Sequence, residues 1–184
     1  MAAEIILIKH AMPVILEGVP SKDWVLGREG RTAAAALAEK LRPRAPAALV
    51  ASPEPKALET GRILAGAFGL DVQVDEGLVE TRRETVPFLP REALEAGIQR
   101  FFNQPADLVF GEETADVAHA RFAAALDRHR GRAPLVVACH GTVISLYVSR
   151  HTGADPMSLW RSLTLPHALV LGEDGRVIDS IGSE

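Results

Sequence analysis

Two histidines, His10 and His140, each stand directly after a short apolar run and directly before a turn. Ile5-Ile6-Leu7-Ile8 leads into Lys9-His10-Ala11-Met12-Pro13, and Leu135-Val136-Val137-Ala138-Cys139 leads into His140-Gly141. Such runs read as buried strands of a parallel sheet. In an open α/β sheet the ligand crevice lies outside the carboxyl ends of the strands, so an imidazole there has a use that it lacks in mid-strand. A third run, Ala47 to Ala51, ends at Ser52-Pro53, with Lys56 in the first turn of the helix that follows. Two imidazoles, two ammonium groups and a helix N-terminus would therefore face one crevice, a combination that suits a phosphate. Lys9 and Lys56 bring charge and donors, the helix brings free N–H groups, and the Gly141 amide can approach closely because it has no Cβ. A lysine in a helix's first turn opposes the dipole, a local conflict that a bound anion removes. One neutral imidazole could attack phosphorus and the other could donate to the developing equatorial oxygens. A leaving alkoxide then needs a proton, and a carboxylic acid whose pKa is raised beside bound phosphate can supply it, with Glu80 and Glu84 as the candidates.

The elements that must position these groups follow in order. Val14 to Arg28, interrupted by Pro20, reads as a loop lining the crevice. Glu29-Gly30 opens a helix whose alanine-rich body, Thr32 to Leu41, is stopped by Pro43 and Pro46. After the strand to Ala51, Ser52 is placed as N-cap of a helix from Glu54 to Ala67, with Pro53 tolerated in its first turn. Val72 to Val74 is a short strand, and a charged segment from Asp75 to Glu84 follows. A helix is expected from Arg91 to Phe102 with Leu94, Ile98 and Phe101 or Phe102 inward. A second runs from Thr114 to about His129 with Val117, Phe122, Ala125 and Leu126 as its apolar face and His119 and His129 on the polar side. A third spans Val143 to His151, and a short helix follows Pro156. Two strands, His167 to Leu171 and Arg176 to Ile181, close the chain through a Glu173-Asp174-Gly175 turn. Strands alternating with helices predict an α/β fold, three layers with a mostly parallel central sheet covered on both faces.

Composition bounds the rest. With 184 residues, 47% of them hydrophobic, one domain over residues 1–184 with a full core is expected. No apolar run approaches the roughly 20 residues that span a bilayer, and the N-terminus lacks the pattern of a signal peptide, so a soluble cytoplasmic protein is expected. Cys139, the only cysteine, permits no internal disulfide and reads as a buried thiol. A net charge of −4 argues against nucleic acid or an anionic membrane as partner, so an anion must be held by local charge.

Taken together, these stretches resemble the histidine phosphatase superfamily, whose best-known branch is the cofactor-dependent phosphoglycerate mutases. Leu7-Ile8-Lys9-His10-Ala11 resembles its Arg-His-Gly signature, and Leu26-Gly27-Arg28-Glu29-Gly30-Arg31 its Leu-Thr-x-x-Gly segment. Ala51-Ser52-Pro53-Glu54-Pro55-Lys56-Ala57-Leu58-Glu59-Thr60 resembles its Ser-Pro-Leu-x-Arg-Ala-x-Gln-Thr stretch. Leu78-Val79-Glu80 falls where the family places its acid, Gly111-Glu112-Glu113-Thr114 resembles a Gly-Glu-Ser helix start, and Cys139-His140-Gly141-Thr142-Val143-Ile144 is similar to Ser-His-Gly-Gly-x-Ile. The order and spacing of these matches make the resemblance specific over nearly the whole chain. It implies a phosphoglycerate mutase-like fold, with His10 as the phosphorylated nucleophile, His140 as a phosphate ligand and Glu80 as proton donor. Lys9 and Lys56 would stand in for two phosphate-binding arginines, and no metal or organic cofactor is implied.

Lysine offers a mobile point charge where arginine offers a planar fork matched to two oxygens. Each replacement could cost about 1 to 3 kcal/mol of transition-state binding, one to two decades of rate. Arg82 and Arg83, next to the candidate acid, could swing toward the phosphate, or both could sit on a solvated loop. The expected activity is a phosphatase acting on a small phosphate monoester through a phosphohistidine. A mutase-type phosphotransferase is a sub-variant. The alternative class is a phosphate-ester-binding or regulatory module whose chemistry the two lysines have silenced. Leaving-group selection would fall to the segments Val14 to Arg28 and Thr81 to Glu112, which carry Trp24, Phe88, Phe101, Phe102 and Phe110, and apolar edges among these phenylalanines could pair subunits into a homodimer.

Overall fold

The computed structural model describes residues 4–183. Its centre is a six-stranded sheet in the order β3-β2-β4-β1-β5-β6, with β1 at Ile5–Lys9, β2 at Ala48–Ala51, β3 at Val72–Val74, β4 at Leu135–Cys139, β5 at His167–Leu171 and β6 at Val177–Gly182. Strands β3, β2, β4 and β1 are parallel to their neighbours, while β5 lies antiparallel to β1, and β6 to β5. The sheet is therefore mostly parallel, with a terminal hairpin on one edge, turned at Gly175 with φ 76°.

Alternation along β1 builds both halves of the core, because successive side chains leave a strand on opposite faces. Ile6 and Ile8 join Val136, Ala138 and Leu49 against α1 (Arg28–Leu41) and α2 (Pro55–Phe68). Ile5 and Leu7 join Leu135, Val137 and Cys139 against α4 (Ala115–His129) and α5 (Gly141–Thr152). The strands β1 and β4 are buried on both faces, which is why they read as continuous apolar runs. A separate cluster of Ile98, Phe101, Phe102, Phe110 and Met157 ties α3 (Arg91–Asn103) to α6 (Pro156–Ser162) beside the crevice. Of the five aromatic residues named for the crevice segments, Phe101, Phe102 and Phe110 are thus inside this cluster, and only Phe88 is exposed among the phenylalanines.

Several boundaries and faces differ from the sequence expectation, each for a local reason. Helix α2 starts at Pro55, with Glu54 rather than Ser52 at the N-cap, because Pro53 and Pro55 hold the chain extended after Ala51. Neither side chain caps the helix in the usual way. Helix α5 starts at Gly141, two residues earlier than expected, because a carboxylate from elsewhere in the chain, that of Glu80, receives its first N–H groups. On α4, Val117 is exposed and the buried stripe is Ala115, Ala118, Phe122, Ala125 and Leu126. His119 is half-buried and stacks on Tyr147, not on a polar face. Close approach demands glycine at position 30, since a Cβ there would lie 2.2 Å from the Met12 carbonyl oxygen. That contact seats the first turn of α1 directly under the turn after His10.

Candidate active site

The register of three adjacent strands builds the site before any side chain is considered. Lys9 pairs with Cys139, and Ala51 with Ala138, so the carboxyl ends of β1, β4 and β2 are level. The pairing continues one step past the strands: His10 donates its backbone N–H to Cys139 at 3.0 Å and Ser52 to Ala138 at 2.9 Å. His10, Ser52 and His140 are therefore neighbours at the sheet edge.

The two imidazoles meet edge to face, with ring centroids 5.3 Å apart and planes at 63°. His10 places Nδ1 at 2.8 Å from the Ala11 carbonyl. A carbonyl only accepts, so Nδ1 carries the hydrogen and the lone pair lies on Nε2. Burial, then the neighbouring His140 and Lys56, hold the His10 pKa well below the usual imidazole value, and the ring is neutral at pH 7. His140 is wholly buried, and burial followed by the Lys56 charge lowers its pKa in the same way, against a smaller opposing effect of Glu80. His140 Nε2 lies 2.9 Å from Ser52 Oγ, which also accepts the Glu54 backbone N–H at 3.3 Å. The Ser52 hydroxyl can donate to Nε2 or accept from it, and the Glu54 carboxylate lies 3.5 Å from the same nitrogen. His140 Nδ1 is buried and has no hydrogen-bond partner among the described residues. A buried unmatched ring nitrogen costs about 1–3 kcal/mol, and its presence is a mark of a site rather than of a core.

Glu80 is partly buried and its carboxylate binds backbone at both ends. Oε1 accepts from Thr81 at 2.9 Å and Val143 at 3.2 Å, and Oε2 accepts from Thr142 at 3.0 Å. Burial works to raise its pKa, but Arg83, His140 and these N–H groups outweigh it, and the pKa lies below the ordinary glutamate value. Without a bound anion, Glu80 is an ionised N-terminal partner of α5. Glu84, the other candidate acid, lines the same cavity as Glu80 but is exposed and pairs with Lys22 at 2.6 Å. Arg83 is the arginine whose charge reaches Glu80 and His140, with one guanidinium nitrogen, Nη1, buried and unpartnered, while Arg82 is exposed.

The lysines stand beside the imidazoles, each with a partner. Lys9 donates to the Leu163 carbonyl at 2.8 Å and lies 5.9 Å from the centre of the Trp160 ring, and burial brings its pKa down to about 8. Its stem passes over Gly141, where a Cβ would meet Lys9 Cε at 3.2 Å, so this glycine makes room for a lysine. Lys56 donates to the Ser21 carbonyl at 2.6 Å and forms a buried ion pair with Glu54 at 2.5 Å. Sequence reasoning had no role for Glu54, although a carboxylate two residues before a lysine at a helix start was a visible signal. Two further residues were missed. Arg121 on α4 donates to the carbonyls of Gly77 and Val79, each at 2.9 Å, and pairs with buried Glu113 at 2.6 Å, which in turn accepts the Arg82 N–H at 2.8 Å. This clamp fixes the segment that presents Glu80. Thr60 accepts the Ala11 N–H at 3.0 Å and holds the turn after His10.

A cavity of about 810 Å³ opens beside these groups, walled by Pro20, Trp24, Glu54, Glu80, Arg83 and Phe88 among others. Both segments expected to select a leaving group, the one before α1 and the one after Glu80, contribute to it. Among the described residues no group of three or more histidine, cysteine, aspartate or glutamate side chains is placed to hold a metal ion, and no helix is long and apolar enough to cross a membrane.

Comparison with known proteins agrees with this arrangement. The model of the histidine phosphatase superfamily (branch 1) matches residues 5–175, and the chain belongs to that family. Among solved structures, a mycobacterial hydrolase superposes with a TM-score of 0.75 at 21% identity, covering 100% of this chain and 99% of its own. A mycobacterial glucosyl-3-phosphoglycerate phosphatase in complex with inorganic phosphate gives 0.73 at 20% identity, covering 98% and 97%. A phosphoserine phosphatase from Entamoeba histolytica gives 0.74 at 17% identity, covering 98% of each. A comparison with curated proteins gave no match. The structural likenesses establish a shared fold across essentially the full length of the chain.

Proposed function

We propose that this protein is a phosphatase that hydrolyses a small phosphate monoester through a phosphohistidine on His10. The observation that carries the reading is the pair of neutral, buried imidazoles 5.3 Å apart, one with a free Nε2 lone pair and the other with an unmatched Nδ1. His10 Nε2 attacks phosphorus as the ester P–O bond breaks, and His140 donates to a phosphoryl oxygen while the Lys9 and Lys56 ammonium groups offset its charge. Glu80 gives its proton to the leaving oxygen, then takes one from a water that attacks the phosphohistidine and releases phosphate. A phosphoryl dianion beside Glu80 raises its pKa from the lowered value of the ligand-free site, and a monoanionic ester brings the proton with it.

The family and the phosphatases among the solved relatives support this reading over a mutase-type transfer. A single catalytic domain in the cytoplasm, acting on a small molecule, is consistent with the charge of −4 and with the enclosed site. The pairing of both lysines with protein acceptors favours a second reading, a phosphate-ester-binding module with little turnover. A continuous assay with 4-nitrophenyl phosphate on the native chain and on His10→Ala separates the two. Turnover lost in the variant supports the phosphatase. Phosphate-ester binding without turnover in the native chain refutes it.

A further inference from the structure

The phosphoryl pocket described above already contains an anion of the protein's own. Glu54 is the N-cap residue of α2, yet its side chain makes no capping bond. It turns toward the site instead: Oε2 lies 2.5 Å from Lys56 Nζ, and Oε1 accepts the Glu80 backbone N–H at 2.8 Å and lies 3.5 Å from His140 Nε2. The side chains of the Glu54–Lys56 pair are 10% and 6% exposed. An ammonium group and a backbone N–H are donors that a phosphoryl oxygen would seek, and the two oxygens of this carboxylate hold them. The stretch that resembles Ser-Pro-Leu-x-Arg carries this glutamate at its leucine, so the carboxylate is a feature of this chain.

The surroundings allow the carboxylate to leave. Glu54 and Glu80 form part of the wall of the 810 Å³ cavity, whereas His10, Lys56 and His140 do not. Glu54 therefore reaches from the cavity wall to Lys56 and His140, and a change of its side-chain rotamer would carry the carboxylate toward the cavity. Lys56 is also held by its bond to the Ser21 carbonyl, so it does not have to follow.

We infer that Glu54 is a resident competitor of the substrate's phosphoryl group: it occupies Lys56 in the free protein, and swings into the cavity when a phosphate monoester enters. The inference rests on the reading of this pocket as a phosphoryl site. Its consequence is that the native chain binds inorganic phosphate weakly and releases it readily, because the carboxylate returns to Lys56 as the product departs.

Calorimetric titration of the full chain with inorganic phosphate, at one fixed pH, tests this with Glu54→Gln and Glu54→Leu. Both variants remove the charge, the first with the shape kept. Exchanging a buried charged pair for a free ammonium facing the anion predicts a phosphate Kd lower by about 10- to 100-fold in both. Adding Lys56→Met to Glu54→Gln should abolish that gain, an outcome that a purely structural role for Glu54 would not produce. A Kd unchanged or raised in the folded single variants overturns the proposal. So does a gain that survives Lys56→Met. For the case in which the variants unfold, the ¹³C resonance of the Glu54 carboxylate in the native chain is followed through the same titration. A shift on saturation is expected, and its absence refutes the swing. Turnover of 4-nitrophenyl phosphate measured alongside keeps the two ideas apart. Tighter phosphate binding without His10-dependent turnover in any variant leaves the competitor standing and removes the phosphatase. Turnover with an unaltered Kd does the reverse.

Discussion

Glu80→Gln separates the two tasks assigned to Glu80. The carboxylate accepts three backbone N–H groups, from Thr81, Thr142 and Val143, at 2.9, 3.0 and 3.2 Å. A glutamine keeps one acceptor oxygen and must turn its NH₂ toward either Thr142 or the Thr81–Val143 pair, leaving at least one donor facing a donor. A hydrogen bond to a charged group contributes about 1.5–3 kcal/mol. The negative charge at the start of α5 adds about 0.3–1 kcal/mol. The expected destabilisation is about 2–4 kcal/mol, which for a chain of this size lowers Tm by about 4–16 °C. Thermal unfolding followed by circular dichroism reads this directly. The catalytic task is read by leaving-group dependence. Losing a general acid costs about 10²- to 10⁴-fold for an alkyl phosphate, and far less for 4-nitrophenyl phosphate, whose phenolate departs without a proton. A melting temperature within about 2 °C of the native value would refute the capping argument. An equal loss on both esters would refute proton donation.

The remaining expectations concern charge and packing. Since burial brings Lys9 to a pKa of about 8, its charge disappears as pH rises through that value, and kcat/KM should fall on the alkaline side; Lys9→Arg should remove that limb of the pH profile. His10 and His140 are held neutral in the fold but take up protons near pH 6.5 when unfolded. Stability should therefore be full above about pH 6.5 and decline below it, by about 1.4 kcal/mol per pH unit for each ring, in urea titrations at successive pH values; His10→Gln should lessen that slope by about one proton. Gly30→Ala sets a Cβ 2.2 Å from the Met12 carbonyl oxygen, a backbone clash that α1 can relieve only by shifting. A loss of about 2 kcal/mol or more is expected in denaturant melts, with reduced turnover because the displaced turn follows His10; native-like behaviour in both would refute the contact.

What the sequence revealed and what it concealed divide along a physical line. His10, Ser52 and His140 are placed by backbone pairing: the β1–β4 and β2–β4 registers level the three strand ends, and those strands are apolar runs whose ends can be read residue by residue. Glu54, Arg121 and Glu113 are placed by side-chain reach across elements far apart in the chain, and local patterns carry no information on where such a reach ends. Ser52 shows both halves of the difference. Its position after β2 was legible, but its use was not, because the hydroxyl that suits a helix cap serves a histidine 88 residues away. The same division explains the shifted start of α5. Its first N–H groups are capped by Glu80, held in place by an arginine from α4. A sheet edge can thus present two imidazoles with little else specified. Whether the pocket between them attracts a phosphoryl group depends on long side chains from the surrounding loops and helices: Glu54 opposes the charge of Lys56, Lys9 is tied to a carbonyl, and Arg83 retains an unmatched nitrogen near Glu80. If the proposed phosphatase reading holds, those side chains, more than the imidazoles, set substrate preference and rate.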